Sequence, residues 1–305
     1  MYPPRRAVTG ASAAFYRVAL HQRMPVRVAR RIVDASAASM RVPRGTVIRH
    51  GTLGGRPVER TTVGATERPR AILYLHGGGY TVGSARLYRG CAAYLAASAE
   101  AVVYNLDYRL APEHPYPAAL EDAVAAFREL VDVHGYDPAA IAIAGDSAGG
   151  GLSVAAARML TDSGLRPGAL GLLSPWTDPV DEQFTMQRDR VTNVAWGRAC
   201  AALYRGSADP TDPGYAPMHG SLDGLPPMLI HCSTVEMLYP QIERFAEKAR
   251  GAGVDVEFVA REDWWHSIHV LAGALRAATD AVTDVGAFLR HQLTPARLDV
   301  AARTS

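Results

Sequence analysis

The segment AIAIAGDSAGGGLSVAAARML, residues 140–160, decides the fold of this chain. Small and β-branched residues come first and are typical of a buried strand, and an alanine, leucine and valine pattern typical of a helix follows at once. Between them, Gly145-Asp146-Ser147-Ala148-Gly149 fits the G-x-S-x-G pattern of a sharp strand-to-helix turn. This turn predicts that Ser147 Oγ stands above a sheet edge and that the Ala148 N–H lies at a helix start, directed at developing negative charge.

A second glycine motif, His76-Gly77-Gly78-Gly79-Tyr80, directly follows the apolar strand pattern AILYL. Successive glycines let a backbone approach a substrate closely and turn its N–H groups toward one point. We therefore predict an oxyanion hole formed by N–H groups of Gly77, Gly78 and Gly79 together with that of Ala148. A phosphate-binding loop is rejected, because neither Lys-Ser/Thr nor a GxGxxG continuation follows the glycines.

Apolar strand patterns alternate with amphipathic helix patterns from residue 71 to a closing helix predicted over residues 272–292. This alternation predicts an α/β fold with a mostly parallel central sheet flanked by helices on both faces. Residues 11–40 also show helical periodicity, interrupted at Pro25, and two strand patterns follow around Gly54-Gly55. Sites in such sheets form outside the carboxyl ends of the strands, which is where both glycine motifs fall.

The composition excludes several classes of partner. The 305 residues are 48% hydrophobic and carry a net charge of +2, which is too mild to indicate a nucleic-acid partner. No apolar stretch approaches the roughly 18 residues of a membrane span, and the N-terminus lacks the apolar core of a secretory signal. The three widely spaced cysteines indicate core residues in a reducing compartment. We therefore expect a cytoplasmic protein without stable membrane insertion.

Positive charge is concentrated at the N-terminus. Residues 1–50 carry ten arginines and one acidic residue, Asp34, so this segment has a charge of +9 and the remaining residues carry −7. The favoured interpretation is a basic segment that docks on an acidic body. Two other roles for this segment stay open, the attraction of an anionic substrate and the attraction of a membrane surface.

Five segments resemble the hormone-sensitive-lipase-like branch of the α/β-hydrolase fold, the bacterial carboxylesterases that share HGGG and GDSAGG. They are HGGGYTVGS at 76–84, YRLAPEHPYPAALED at 108–122, GDSAGGGLS at 145–153, SPWTD at 174–178 and DPTDPGYAP at 209–217. The resemblance covers roughly residues 45–292. It implies an α/β-hydrolase catalytic domain over residues 46–305 and an N-terminal helical cap over residues 1–45. The cap and an insertion at about 180–215 are expected to form the lid and the acyl pocket.

A serine nucleophile needs a base and a group that orients the base. The family places its base in the loop between the last strand and the last helix, here DWWHSIHVLAG at 263–273. His269, with one apolar residue on each side, matches the family pattern best, so the resemblance implies His269 as the base and leaves His266 as the alternative. The family acid is usually an aspartate, but PPMLIHCSTVEMLYPQ at 226–241 contains none. Glu236 occupies the matching position and can orient a histidine as an aspartate does; Asp263 is the only nearby substitute.

The predicted function is a serine carboxylesterase for short- to medium-chain acyl esters, with a catalytic triad of Ser147, His269 and Glu236. A small-molecule ester is the expected partner, no metal or cofactor is expected, and the family resemblance adds a homodimer through the last sheet edge. Two alternatives stay open. The same acyl-enzyme could pass its acyl group to an alcohol or amine of a specialised metabolite, or close a ring. A catalytically silent ligand-binding receptor is disfavoured, because serine, base and oxyanion loop are all present.

Overall fold

An eight-stranded sheet organises the residues that the computed structural model describes, which are 2–36, 41–184 and 186–293. The strands are β1 (Thr46–Leu53), β2 (Arg56–Val63), β3 (Ala71–Leu75), β4 (Val102–Leu106), β5 (Ile141–Asp146), β6 (Ala169–Leu173), β7 (Met228–Ser233) and β8 (Val256–Arg261). Their spatial order is β1-β2-β4-β3-β5-β6-β7-β8. The β1–β2 and β2–β4 pairs are antiparallel, and every pair from β4 across to β8 is parallel.

Helices cover both faces of this sheet. In the described residues they are α1 (Arg5–Ala19), α2 (Val26–Ala35), α3 (Arg89–Ala99), α4 (Ala118–Asp132), α5 (Ala148–Asp162), α6 (Val194–Arg205), α7 (Tyr239–Gly251) and α8 (Arg276–Gln292). Successive side chains of a strand point to opposite faces. Leu73 and Leu75 of β3 therefore enter the core shared with α4 and α5, whereas Ile72 and Tyr74 enter the core shared with α3 and α8. The predicted α/β class, with helices on both faces, is confirmed.

The helix boundaries follow local signals in the sequence. The predicted interruption at Pro25 is present, because α1 ends at Ala19 and α2 begins directly after that proline. The closing helix begins at Arg276 rather than at residue 272, because Gly273 has a φ of 87°, which a right-handed helix does not contain. The part of the predicted N-terminal helix over residues 37–40 lies outside the described residues. No helix in the described part of the chain combines the length and the apolar character needed to cross a bilayer.

The carboxyl ends of the parallel strands collect the loops that carry chemistry. The fully buried strands β3, β5 and β7 end at Leu75, Asp146 and Ser233. The HGGG loop, Ser147 and the segment with Glu236 follow these ends directly, and the histidine loop follows β8. Because parallel strands end at the same edge of a sheet, four segments that are far apart in the sequence meet at one place.

Candidate active site

The turn after β5 holds Ser147 in a strained backbone conformation. Its φ of 51° and ψ of −121° lie outside the regions that residues with a side chain ordinarily adopt. The Ser147 N–H donates to the Leu173 carbonyl of β6, and the Ser147 carbonyl accepts from the Trp176 N–H. Helix α5 begins at the next residue, so the Ala148 N–H belongs to the first turn, whose donors have no carbonyl partner within the helix.

The glycines on either side of Ser147 are required by the close approach of α5 to the end of β3. A Cβ on Gly149 would lie 2.0 Å from the Leu75 carbonyl oxygen, and a Cβ on Gly145 would lie 2.5 Å from the same oxygen. No side chain fits at either position without moving the backbone. The spacing of these glycines therefore reflects packing against β3.

The histidine beside Ser147 is His266. Its Nε2 lies 2.9 Å from Ser147 Oγ, and its Nδ1 lies 3.4 Å from Glu236 Oε1. All three side chains are buried, Glu236 completely. Glu236 Oε2 also accepts hydrogen bonds from the Ser174 hydroxyl at 2.7 Å and from the Ser233 N–H at 3.1 Å. A nucleophile, a base and an orienting carboxylate are thus brought together in the order that nucleophilic catalysis requires.

The pKa of His266 is raised above its ordinary value. Burial is the largest single influence and lowers this pKa. The hydrogen bond and charge of Glu236, with the charges of Asp189 and Asp146, outweigh the burial. These carboxylates therefore favour the imidazolium, which is the form that arises when the ring takes a proton from a serine hydroxyl.

The predicted pairing of His269 with Ser147 is wrong. His269 is buried, and its Nε2 lies 3.3 Å from Nδ1 of His231, a residue of β7. Its ring also packs edge-on against Trp264, with the ring centroids 5.6 Å apart. His269 therefore belongs to a buried cluster behind the site, and the alternative residue, His266, occupies the position beside the serine.

The backbone between His266 and His269 explains why His266, and not His269, lies beside Ser147. Ser267 adopts a left-handed conformation with a φ of 51°, and the 3-10 turn Ile268–Leu271 follows. This reversal separates the directions of the His266 and His269 side chains although only two residues lie between them. Burial lowers the pKa of His269 well below its usual range, and its electrostatic interactions with the neighbouring rings of His231 and His266 lower it further.

The HGGG loop supplies fewer candidate oxyanion donors than the sequence predicts. The Gly77 N–H donates to Asp146 Oδ1 at 2.8 Å and lies 3.1 Å from the Tyr88 hydroxyl, so this donor is already engaged. The prediction of Gly77 as an oxyanion donor is therefore corrected. Gly78 and Gly79 have φ values of 116° and 60°, which favour glycine. Their N–H groups and that of Ala148 remain the candidate donors.

Asp146 ties the HGGG loop to the serine turn. Besides the Gly77 N–H, it accepts hydrogen bonds from the hydroxyls of Tyr74 at 3.2 Å and Tyr88 at 2.9 Å. Burial raises the pKa of Asp146, and the hydrogen bonds from Tyr88 and Gly77 oppose that rise. No motif contained Tyr88, and the SPWTD segment indicated no role for Ser174, because the roles of both arise from contacts between segments that are distant in the sequence.

The other candidates lie outside this arrangement. Asp263, considered as a substitute acid, is exposed and pairs with Arg5 and Arg261 at 3.2 and 3.1 Å. It is therefore committed to surface ion pairs, and Glu236 is the carboxylate at the histidine. Within residues 2–36, 41–184 and 186–293, no group of three or more histidine, cysteine, aspartate or glutamate side chains is arranged to hold a metal ion.

Comparisons with known proteins agree with this geometry. A family model described as alpha/beta hydrolase fold matches residues 72–270, which include both glycine motifs, Glu236 and His266. The chain is 38% identical to LipR of Mycobacterium tuberculosis over 269 residues, 87% of each chain. It is 38% identical to an acetyl-hydrolase of Streptomyces hygroscopicus over 254 residues, 79% of this chain and 85% of that protein.

The crystal structure of an esterase from the bacterial hormone-sensitive lipase family matches at a TM-score of 0.88 and 35% identity, over 96% of this chain and 100% of that chain. This chain belongs to the hormone-sensitive-lipase-like esterases of the α/β-hydrolase fold. The resemblance predicted from the motifs is confirmed, and with it the class of enzyme, an ester-cleaving hydrolase.

In this esterase a narrow cavity of about 50 Å³ leads to Ser147. Its walls come from five parts of the chain, one of which is the turn with Asp146 and Ser147. The lining residues include Tyr16, Leu20 and Val33 from the N-terminal segment, Val191, Thr192 and Trp196 from the segment around α6, Gly78 and Val82 from the HGGG loop, and Trp265, His266 and Val270 from the histidine loop. Residues of both predicted cap segments thus lie against the cavity that contains the serine.

Proposed function

We propose that this esterase hydrolyses carboxylic esters of short acyl chains through a catalytic triad of Ser147, His266 and Glu236. The observation that carries the proposal is the 2.9 Å separation of Ser147 Oγ from His266 Nε2, with Glu236 Oε1 at 3.4 Å from Nδ1 of the same ring. A serine hydroxyl is a weak nucleophile at neutral pH, and a buried histidine whose other nitrogen faces a carboxylate is the base that activates it.

In the first half of the reaction, His266 Nε2 accepts the proton of Ser147 as Oγ attacks the ester carbonyl carbon. The imidazolium that forms is stabilised by Glu236. The negatively charged oxygen of the tetrahedral intermediate accepts hydrogen bonds from backbone N–H groups of the HGGG loop and of Ala148. His266 then gives the proton to the oxygen of the leaving alcohol, which departs and leaves the acyl group esterified to Ser147.

In the second half, a water molecule attacks the acyl carbonyl while His266 Nε2 takes its proton. The second tetrahedral intermediate has the same charge and the same donors as the first. It collapses when His266 returns the proton to Ser147 Oγ. The products are a carboxylic acid and the free serine, so the alcohol and acid together account for the ester and one water.

The size of the cavity favours short acyl groups. A water molecule needs roughly 10–15 Å³ of such space, so a cavity of about 50 Å³ holds about four water-sized groups, as in an acetyl to butyryl chain. Leu20, Val33 and Trp196 provide apolar walls that favour methyl and methylene groups over water. The proposed acyl chains are therefore at the short end of the short- to medium-chain range that the sequence predicts. The names of LipR and of the Streptomyces hygroscopicus protein both contain the word acetyl-hydrolase, which supports the same end of the range.

Hydrolysis of 4-nitrophenyl esters from acetate to laurate tests the proposal, with the wild type beside Ser147→Ala. We expect rapid release that depends on the serine, is fastest for acetate or butyrate and falls steeply for longer chains. Ser163→Ala, an exposed serine near the end of α5, is the matched control and keeps wild-type activity.

Three outcomes contradict different parts of the proposal. Full turnover by Ser147→Ala overturns the triad, and fastest release from laurate overturns the short acyl chain. A burst that depends on the serine but is followed by no turnover means that the acyl group awaits an acceptor other than water, which overturns hydrolysis.

A further inference from the structure

An open groove lies beside the active-site cavity, on the other side of Trp265. It lies between α1, residues 186–190 and residues 262–265, in two contiguous parts of about 930 and 520 Å³. Ala13 and Arg190 line both parts. Trp265 lines the groove on one side and the cavity that contains the serine on the other. A substrate that extends past Trp265 therefore enters this groove.

The groove carries more positive than negative charge. Its basic residues are Arg5, Arg6, Arg17, Arg188 and Arg190, and its acidic residues are Asp189, Glu262 and Asp263. Two of the acidic side chains are engaged within the protein. Asp263 pairs with Arg5, and Asp189 accepts hydrogen bonds from the N–H groups of Val191 and Thr192 at 2.8 Å each. Five arginines against three carboxylates leave an excess of two positive charges, because backbone N–H donors do not cancel the charge of Asp189 and Glu262 lines both parts of the groove.

Four groove arginines have charge left for a ligand: Arg6, Arg17, Arg188 and Arg190. All four are exposed, and across the described ranges none of them pairs with a carboxylate within the protein. The Arg190 guanidinium lies 5.8 Å from the centroid of the Trp265 ring, a cation–π contact with the side chain that separates the groove from the cavity. Guanidinium groups bind carboxylate and phosphate oxygens through forked hydrogen bonds.

We propose that this groove binds an anionic group, a carboxylate or a phosphate, carried by the alcohol part of the ester. The inference rests on the proposed function, in which the cavity holds the acyl part and leaves the alcohol to extend toward the groove. It also accounts for part of the basic N-terminus. Arg5 and Arg30 form ion pairs with Asp263 and Glu113, as docking on an acidic body predicts, whereas Arg17 lines the groove without one.

Acetate esters that differ in charge test the inference. The pair consists of 4-acetoxybenzoate, which is anionic, and 4-acetoxybenzamide, which is neutral and of similar shape; 4-acetoxyphenyl phosphate replaces the carboxylate by a phosphate. The readout is the ratio of kcat/KM for an anionic ester to that for the neutral ester. Comparing this ratio between variants cancels the different intrinsic reactivities of the phenols.

The Arg188→Gln/Arg190→Gln double variant removes two of the groove charges. We expect its ratio to fall on the order of fivefold below that of the wild type, mainly through KM, because exposed charge pairs are individually weak. Added salt lowers the wild-type ratio in the same direction, since it screens these pairs. Arg188→Lys/Arg190→Lys keeps the charges and retains most of the preference. Arg128→Gln, an exposed arginine of α4 outside the groove, retains all of it.

The outcomes distinguish a failure of the proposed anion-binding groove from a failure of the proposed triad. The anionic ester whose ratio falls further from the wild type to the glutamine variant identifies whether a carboxylate or a phosphate is the better ligand, and equal falls mean that the groove recognises charge alone. A ratio that is unchanged in the glutamine variant, with the neutral ester still hydrolysed, overturns the groove. Failure of the wild type to hydrolyse the neutral ester overturns the proposed function instead.

Discussion

Replacing Glu236 by glutamine tests how a buried carboxylate controls His266. Glu236 Oε2 accepts two hydrogen bonds, from the Ser174 hydroxyl and the Ser233 N–H, and Oε1 faces His266 Nδ1 at 3.4 Å. In Glu236→Gln the amide oxygen takes the place beside the two donors, because an amide NH₂ cannot accept hydrogen bonds. The NH₂ group then faces His266 Nδ1 and selects the tautomer that carries its proton on Nε2.

That tautomer directs an N–H at Ser147 Oγ, where an acceptor is needed. The corresponding aspartate-to-asparagine change in a serine protease lowers kcat by about 10⁴-fold, also through the wrong tautomer. The 3.4 Å separation here is longer than a strong hydrogen bond, so we expect a smaller loss. A fall of about 10³-fold in kcat/KM corresponds to about 4 kcal/mol of lost transition-state stabilisation.

The same variant moves the pH dependence of the reaction. The proposed triad requires neutral His266, so we expect activity to be lost as the pH falls through the pKa of that ring. In the wild type this pKa is raised, although burial lowers it, because the hydrogen bond and charge of Glu236 outweigh the burial. In Glu236→Gln the burial still lowers the pKa of His266, but the hydrogen bond and the charge of the carboxylate no longer raise it. The midpoint of the acid limb therefore shifts to lower pH.

The assay is kcat/KM for 4-nitrophenyl acetate from about pH 5 to about pH 9, with circular dichroism as the check of folding. Glu243→Gln is the matched control, since Glu243 is exposed on α7 and accepts a hydrogen bond from the Tyr239 hydroxyl. We expect this control to stay within about twofold of the wild type. A folded Glu236→Gln enzyme within about tenfold of the wild type, with an unchanged midpoint, would refute the reasoning.

Three further predictions concern the support of the site. Gly149→Ala places a Cβ 2.0 Å from the Leu75 carbonyl oxygen, so we expect urea unfolding to report a loss of about 3 kcal/mol or more; unchanged stability contradicts the packing argument. Tyr88→Phe removes a hydroxyl that donates to Asp146 at 2.9 Å. We expect about 1–2 kcal/mol less stability and a lower kcat, and the absence of both in parallel urea and activity measurements contradicts this. The pKa of His269 is depressed in the folded protein, so its contribution to stability is present above about pH 6.5 and is lost as the pH falls below that value. Urea unfolding at a series of pH values checks this, and His269→Gln is expected to flatten the dependence; an equally steep dependence counts against it.

The fold and the turn that holds Ser147 could be predicted from the sequence because both depend on local patterns. The run of small apolar residues, the glycines around Ser147 and the helix that follows specify a strand, a turn and a helix within 21 residues. The HGGG loop is equally local, since Gly78 and Gly79 need backbone conformations that favour glycine. Pro25 also acts locally. Because proline lacks the N–H that a helix interior requires, the boundary between α1 and α2 could be predicted there.

The choice of histidine could not be predicted in this way. His266 and His269 share one loop, and only the left-handed turn at Ser267 and the contact with His231, 38 residues away, separate their positions. Gly77 failed as an oxyanion donor for a similar reason, because the group that takes its N–H lies 69 residues further along the chain. Contacts between distant segments cannot be predicted from periodicity or motif spacing.

The most direct measurement is the rate at which a fluorophosphonate labels Ser147 in the wild type, in His266→Gln and in His269→Gln. Labelling requires a serine hydroxyl activated by its base, and it does not depend on the identity of the natural ester. If His266 is the base, His266→Gln slows labelling by about 10³-fold or more, while folded His269→Gln stays within about tenfold of the wild type. Rapid labelling of His266→Gln together with loss of labelling in folded His269→Gln would contradict the assignment of His266 as the base.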